Sequence, residues 1–389
     1  MRYRKCSGPF IWSRSLHRSA PLHVAVVGCG QIANSHIKAW RNVGASVVAV
    51  CDKNASLAES TGEKWGIPHR YFDVFQMVKG ERLDVASVCT PANVRLAVVK
   101  PLVENGINVM IEKPFAMSVA EAEKIVALKN KYGVKLTVVH NWLFSLIMKK
   151  TLRSLERKEL GELLGVELDI LHTKEDPMTA DSSHWSHSIE AGRFGENLPH
   201  SIYIIRAILG EVRVRHFSGS KLGSYPWMPI DELRVLLEDT KGRTASIYIS
   251  FNSVRHETTL KVFGTKGVLD VNLSNNIFIK KKFRAVNVTQ VVKDDLRFLT
   301  DYINSCCSIT FAILTKRYQN MHTEFIKDFV NSLIRDTEPP VTVEEALEVT
   351  KLQTDLCSLI QKKYFSNTEE IFFQYMHAWG AIAGNTPCT

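Results

Sequence analysis

The chain has 389 residues, of which 45% are hydrophobic and 23% charged, with a formal charge of +9. That length suggests about two domains and the composition is that of a globular protein, which excludes a disordered or fibrous chain. No apolar run approaches the ~20 residues of a membrane span. The positive charge does not argue for nucleic acid, because Arg2, Arg4, Lys5, Arg14 and Arg18 all precede the first acid, Asp52, and no basic and aromatic interleaving follows.

Residues 1–22 read as a disordered basic extension outside the fold. An organelle transit peptide is the alternative, since the stretch is rich in Arg and Ser and free of acids. Val24 to Val27 is then a short apolar run, the pattern of a parallel strand buried on both faces. Gly28, Gly30 and Ala33 follow as G-x-G-x-x-A, and a helix is predicted from Ile32 to Trp40. Gly28 permits the tight turn, Gly30 lets a pyrophosphate approach the backbone, and Ala33 lets helix and strand pack closely. A second strand, Val47 to Cys51, ends in Asp52, where a carboxylate accepts both hydroxyls of an adenosine ribose.

A helix over Leu57–Trp65 and a short strand near His69–Phe72 come next. Leu83–Cys89 is a third buried strand, ending in Thr90-Pro91-Ala92, and a helix over 93–105 stops at Gly106. Ile107–Ile111 ends in Glu112-Lys113-Pro114. A helix over 118–132 opens with Ser118 and Glu121 in capping-box spacing, and the strand Val134–Val139 ends in His140-Asn141. This alternation is that of a doubly wound parallel sheet, which binds ligands at the carboxyl ends of its strands.

After about residue 142 the pattern changes. A helix over 144–159 and another near 197–209 accompany period-2 stretches at 163–172, 212–220, 231–239, 244–252, 258–264, 267–272 and 276–282, an open antiparallel sheet. Helices are predicted near 290–305, 319–335 and 343–363. Phe298, Leu299, Tyr302, Ile303, Phe311 and Ile313 read as core or subunit interface. The run Lys280-Lys281-Lys282 with Arg284 reads as a solvated strand edge. The eight cysteines show no metal-ligand spacing, so they read as buried hydrophobes of a reducing, cytoplasmic compartment. His184-Trp185-Ser186-His187 lacks a third ligand at a diagnostic spacing, so no metal is expected. It reads as a loop over a substrate cleft, with Trp185 as a sugar-stacking candidate.

Gly28-Cys29-Gly30-Gln31-Ile32-Ala33, Thr90-Pro91, Glu112-Lys113-Pro114 and Gly195-Glu196-Asn197-Leu198-Pro199-His200 together resemble the glucose-fructose oxidoreductase / inositol dehydrogenase (Gfo/Idh/MocA) family. The likeness runs from about 23 to 363. It implies an α/β chain: a Rossmann domain over 23–141, an α+β substrate and oligomerisation domain with an open, mainly antiparallel sheet over 142–363, and a C-terminal extension over 364–389. It further implies NAD as cofactor, with NADP left open. Gly28, Gly30, Gln31, Ile32 and Ala33 would hold the pyrophosphate and Asp52 the ribose. Thr90 and Pro91 would line the cleft. Glu112, Lys113 and Asn141 would lie toward the nicotinamide.

The implied activity is hydride transfer between nicotinamide and a secondary alcohol of a sugar, polyol or nucleotide sugar. His200 would be the base. Lys113 would stabilise alkoxide charge, Glu196 at i−4 would orient His200, and Tyr203 would touch substrate. A redox-assisted glycosidase and a non-catalytic cofactor-binding regulator are the alternatives. Where the family often has Gly-Gly this chain has Gly192-Arg193, and where many members have arginine it has Leu143. The open sheet face, read as bare and apolar, predicts a homodimer or homotetramer, with no nucleic-acid or membrane partner.

Overall fold

The computed structural model describes residues 21–282, 288–315 and 320–366. The basic extension up to residue 20, Arg284 and the C-terminal extension from 367 lie outside the described residues. The described residues divide into two compact units, the first comprising 21–157, 206–208, 299–315 and 320–351 and the second 158–205, 209–282, 288–298 and 352–366.

The first unit is built on a six-stranded parallel sheet. Its elements are β1 (His23–Val27), α1 (Gln31–Asn42), β2 (Ser46–Cys51), α2 (Ala55–Trp65), β3 (His69–Tyr71), α3 (Val74–Gly80), β4 (Val85–Val88), α4 (Arg95–Glu104), β5 (Asn108–Ile111), α5 (Val119–Tyr132) and β6 (Leu136–Val138), followed by α6 (Leu146–Glu156). The strand order is β3-β2-β1-β4-β5-β6, so the winding reverses between β1 and β4. Val24 to Val27 and Val85 to Val88 are buried, as near-continuous apolar runs in a sheet covered on both faces are, with Ser87 the polar exception. The 7 residues of α3 place Val74, Met77 and Val78 on the core, too brief a pattern to announce a helix; Asp73 caps it by accepting from the Gln76 amide at 3.0 Å. At α5, Ser118 accepts from the Glu121 amide at 3.2 Å, and Glu121 returns to the Met117 amide at 3.2 Å rather than to that of Ser118.

The unit is not contiguous in sequence. Val343 and Ala346 join the same core cluster as Ile125, Leu136 and Val138, and Thr137 Oγ1 donates to the Val341 carbonyl at 2.7 Å. These contacts bring α10 (Met321–Arg335) and the first half of α11 (Val343–Ile360) into the first unit, where α10 packs on α1. The preceding helix, α9 (Val288–Leu314), carries the apolar segment read as core or interface. It lines no core: Phe298, Leu299, Tyr302, Ile303, Phe311 and Ile313 are 40–59% exposed.

The second unit holds β7 (Leu163–Thr173), α7 (Pro177–Ala180), α8 (Gly192–Leu209) and β8 (Val212–Ser220) through β13 (Ile277–Lys282), with β9 at Glu232–Asp239, β10 at Thr244–Ser253, β11 at Glu257–Gly264 and β12 at Gly267–Asn272. Its seven-stranded sheet has the order β13-β12-β11-β7-β10-β9-β8. All neighbours are antiparallel except β7 and β10, which run parallel. Leu168, Ile170, Val235, Ile247, Ile249, Leu260 and Val262 line the buried face, and Phe194 of α8 meets Phe251 edge-on at 5.0 Å.

The opposite face corrects an expectation, because it is not apolar. Lys261 pairs with Glu167 at 3.8 Å, Lys281 with Asp270 at 2.9 Å, and the Arg234 guanidinium lies 3.8 Å from the Tyr248 ring centroid. The hydrophobic argument for a homodimer or homotetramer through this face therefore falls. Among the described residues no helix is long and apolar enough to cross a membrane.

Candidate functional site

The turn from β1 into α1 is fixed by backbone geometry. Gly28 has φ of +94°, and a Cβ there would lie 2.8 Å from both Cys89 C and Thr90 N, backbone atoms at the end of β4. Its amide donates to the Cys51 carbonyl at 2.8 Å, so this residue ties β1 to β2 and abuts β4. At Gly30 a Cβ would meet nothing within 4 Å. Gly30 also precedes α1 without a side-chain cap, which leaves the first-turn amides to an external acceptor. Thr90 Oγ1 is buried with no hydrogen-bond partner. A free cradle, uncapped amides and an orphaned hydroxyl fit a dinucleotide phosphate group.

Around that cradle, Ala33 is buried against the sheet, Gln31 and Pro91 are exposed and Ile32 is half-buried. Asp52 is pinned rather than loose: Oδ2 accepts from the Cys29 amide and Oδ1 from the Asn54 amide, both at 2.8 Å. Each oxygen retains a lone pair for a ribose hydroxyl. Burial pushes the Cys29 thiol up to about 11 and the Cys51 thiol up to about 12, so both stay protonated beside the turn.

Glu112 and Lys113 sit at the carboxyl end of β5, with a cis bond between Lys113 and Pro114. Glu112 Oε1 lies 2.7 Å from His36 Nε2 and 3.6 Å from His322 Nε2, and Oε2 accepts from the Lys113 amide at 3.0 Å. Burial alone would push the Glu112 carboxyl up; hydrogen bonds from His322 and His36 outweigh it and hold the group well below the usual carboxylate range. Asn141 Nδ2 is 3.3 Å from His322 Nε2. Arg95, buried on α4, donates to the Thr90 carbonyl at 2.8 Å and to that of Lys113 at 3.4 Å. His36, Ser87, Arg95 and His322 escaped the sequence reading. A histidine or arginine on the buried face of a helix carries no spacing signal, and His322 is brought to Glu112 only by tertiary packing.

In the second unit, His200 lies on α8 with Nδ1 2.7 Å from the Tyr203 hydroxyl. Tyr203 is 1% exposed, and its hydroxyl meets the imidazole. Glu196 is redirected. Its Oε2 accepts from Arg193 Nη1 at 3.0 Å and Asn197 Nδ2 at 3.1 Å. Arg193 is buried and pairs as well with Asp176 at 3.1 Å, so two carboxylates offset the cost of its buried charge. The carboxylate expected to serve His200 thus answers to the arginine that replaces the family's second glycine.

The histidines flanking Trp185 are engaged locally, His184 with Ser186 Oγ at 2.8 Å and His187 with the Met178 carbonyl at 3.0 Å. Trp185 itself is 42% exposed.

His140, at the end of β6, gives a pH dependence. Burial pushes its imidazole from 6.5 down to about 3. The unfolded chain takes up a proton below 6.5 that the folded one refuses, so stability is full above that value. It is lost as pH falls toward 3, by on the order of 4 kcal/mol. Thermal melts are expected to drop as pH is lowered from about 7 to 4, and His140→Gln is expected to flatten that slope. An unchanged slope in the variant would discount this residue.

A family model described as an oxidoreductase family with an NAD-binding Rossmann fold matches residues 22–140, and one described as the GFO/IDH/MocA C-terminal domain matches 148–270. A D-apiose dehydrogenase of Paraburkholderia graminis is 31% identical over 138 residues, 35% of this chain and 37% of that protein. A myo-inositol 2-dehydrogenase of Thermotoga maritima is 22% identical over 330 residues, 83% of this chain and 91% of that protein. Among solved structures, the WlbA dehydrogenase of Bordetella pertussis, in complex with NADH and UDP-GlcNAcA, aligns with a TM-score of 0.74 at 19% identity, covering 89% of this chain and 97% of that one.

Proposed function

This chain belongs to the Gfo/Idh/MocA oxidoreductase family, and from that membership we propose that it transfers a hydride between NAD and a secondary alcohol of a sugar, polyol or nucleotide sugar. One observation carries the reading. β1, β4 and β5 are neighbours in the parallel sheet, so Gly28, Thr90 and Glu112-Lys113 come to one edge, where such sheets bind nucleotides. The relatives add support, being dehydrogenases of sugars and of a polyol.

Gly28, Gly30, Gln31, Ile32 and Ala33 would hold the pyrophosphate, with Thr90 and Pro91 lining the cleft. Asp52 would take the adenosine ribose and disfavour a 2′-phosphate, hence NAD over NADP. Bound nicotinamide supplies the hydride acceptor. Lys113 hydrogen-bonds the reacting oxygen and offsets the negative charge that grows on it. His200 receives the hydroxyl proton. For Nε2 to accept it, Nδ1 must carry the hydrogen, and the Tyr203 oxygen 2.7 Å away is placed to accept from it. Glu112 and Asn141 position the nicotinamide side, and Trp185 offers a ring face for a sugar.

The test is a fluorescence titration with NAD and NADP, then a panel of sugars, polyols and nucleotide sugars followed by absorbance of reduced nicotinamide. The expected result is preference for NAD and net NADH with at least one panel member. Turnover of a glycoside without net NADH would favour the glycosidase, and a protein that ignores both cofactors would overturn the reading.

A further inference from the structure

Three elements far apart in sequence converge on one carboxylate. His36 comes from α1, Glu112 from the end of β5 and His322 from α10, with their ligating atoms all within 4.8 Å of one another. The carboxylate also grips the backbone of its neighbour, since Glu112 Oε2 accepts from the Lys113 amide. Arg95 holds the Lys113 carbonyl from the other side. The peptide that carries the Lys113 amine is thus held at both its N–H and its C=O, and Glu112 is the intermediary on one side.

We propose that His322 is a positioning residue that acts through Glu112 to fix Lys113. This rests on the function proposed above.

The geometry favours a hydrogen-bonded clamp over a metal site. Two ligands of one zinc at ~2.0–2.1 Å and tetrahedral angles stand about 3.3 Å apart. His36 Nε2 and Glu112 Oε1 are 2.7 Å apart, the distance of a shared proton. His36 Nδ1 is matched by Ser87 Oγ at 2.8 Å, so with Nε2 donating to Glu112, Nδ1 accepts from that hydroxyl. The ring is wholly buried, and burial pushes it down, which keeps it neutral. His322 is the other end of the clamp. Its side chain is 13% exposed, its ring centroid is 5.4 Å from that of His36, and its Nε2 stands 3.6 Å from Glu112 Oε1. The same Nε2 stands 3.3 Å from Asn141 Nδ2, so the ring is held between that amide and the carboxylate.

The charged and titratable groups around the clamp are few. From β4, Cys89 is pushed well up by burial and stays a thiol. From β6, His140 is pushed down to about 3 and stays neutral. From α4, Arg95 keeps its charge, and Lys113 follows Glu112 in the chain. His322 is the partly exposed histidine of this group.

The experiment compares wild type, His322→Ala and His322→Gln as full-length proteins. NAD affinity is read by fluorescence, and kcat and KM from about pH 5.5 to 9. His322→Ala is expected to lower kcat about 10- to 100-fold, the cost of a misplaced catalytic group, with NAD affinity within about threefold. His322→Gln keeps an N–H for Glu112. It is expected to recover most of kcat. The proposal is overturned by wild-type kcat in His322→Ala, by NAD affinity falling in step with kcat, by a His322→Gln variant as slow as His322→Ala, or by stoichiometric zinc in the purified protein. If wild type oxidises no panel member, the proposed function has failed, and the clamp is judged separately on imidazole NMR. Glu112→Gln is expected to move the resonances of both His36 and His322, and resonances that stay put refute the clamp.

Discussion

Lys113→Ala is expected to cost about a thousandfold or more in kcat while leaving NAD binding within about tenfold of wild type. The amine is the cation nearest in the chain to Glu112, and the peptide that bears it is held by Glu112 and Arg95. Such investment in a strand-end lysine is unneeded for a solvated charge. Removing the side chain empties no core, because Lys113 lies half-buried at the end of β5, so the melting temperature should hardly move. Lys113→Arg should not rescue it, since a planar guanidinium cannot present a single N–H as the ammonium does. Single-turnover kinetics on the best panel substrate, beside a cofactor titration, measure both quantities. Undiminished turnover in the alanine variant would remove Lys113 from the chemistry.

The largest effect on the fold is expected at Gly28. In Gly28→Ala the new Cβ meets backbone of Cys89 and Thr90 at 2.8 Å, where no side chain can swing aside. The positive φ adds strain of about 1–2 kcal/mol. Parting β1 from β4 to make room costs a further 1–3 kcal/mol, roughly, as overpacking does. Together this is about 2–5 kcal/mol, enough to threaten a protein of ordinary stability. Gly30→Ala is the matched control. Its Cβ meets no protein atom within 4 Å, so it should melt like wild type yet lose NAD affinity, because the methyl stands where phosphate is to lie. Equal stability of the two variants would refute the crowding argument; equal NAD affinity of wild type and Gly30→Ala would move the phosphate elsewhere.

How much of this was legible beforehand follows the range of each interaction. Val24–Val27 and Val85–Val88 announce themselves because a strand buried on both faces is mostly apolar along its length, Ser87 being the one polar position of the two. The strands of the second sheet were legible from alternation, but the parallel partnership of β7 and β10 was not, since pairing across such a distance leaves no local trace. The short α3 lacked enough turns for periodicity to show. Within the candidate site, residues that follow strands were singled out by position. Those that arrive on helices, His36, Arg95 and His322, were not. Glu196 shows the opposite failure: an i,i+4 spacing to His200 is real, yet the buried Arg193 competes for the carboxylate. Helix spacing names the residues within reach, and charge decides among them.

The return of α10 and α11 to the first unit bears on synthesis. Val343 and Ala346 complete a core whose first strand lies at His23–Val27, so a nascent chain exposes that apolar surface until almost all of it has left the ribosome. Fragments ended before residue 321 are therefore expected to aggregate or be degraded rather than to behave as a freestanding nucleotide-binding module.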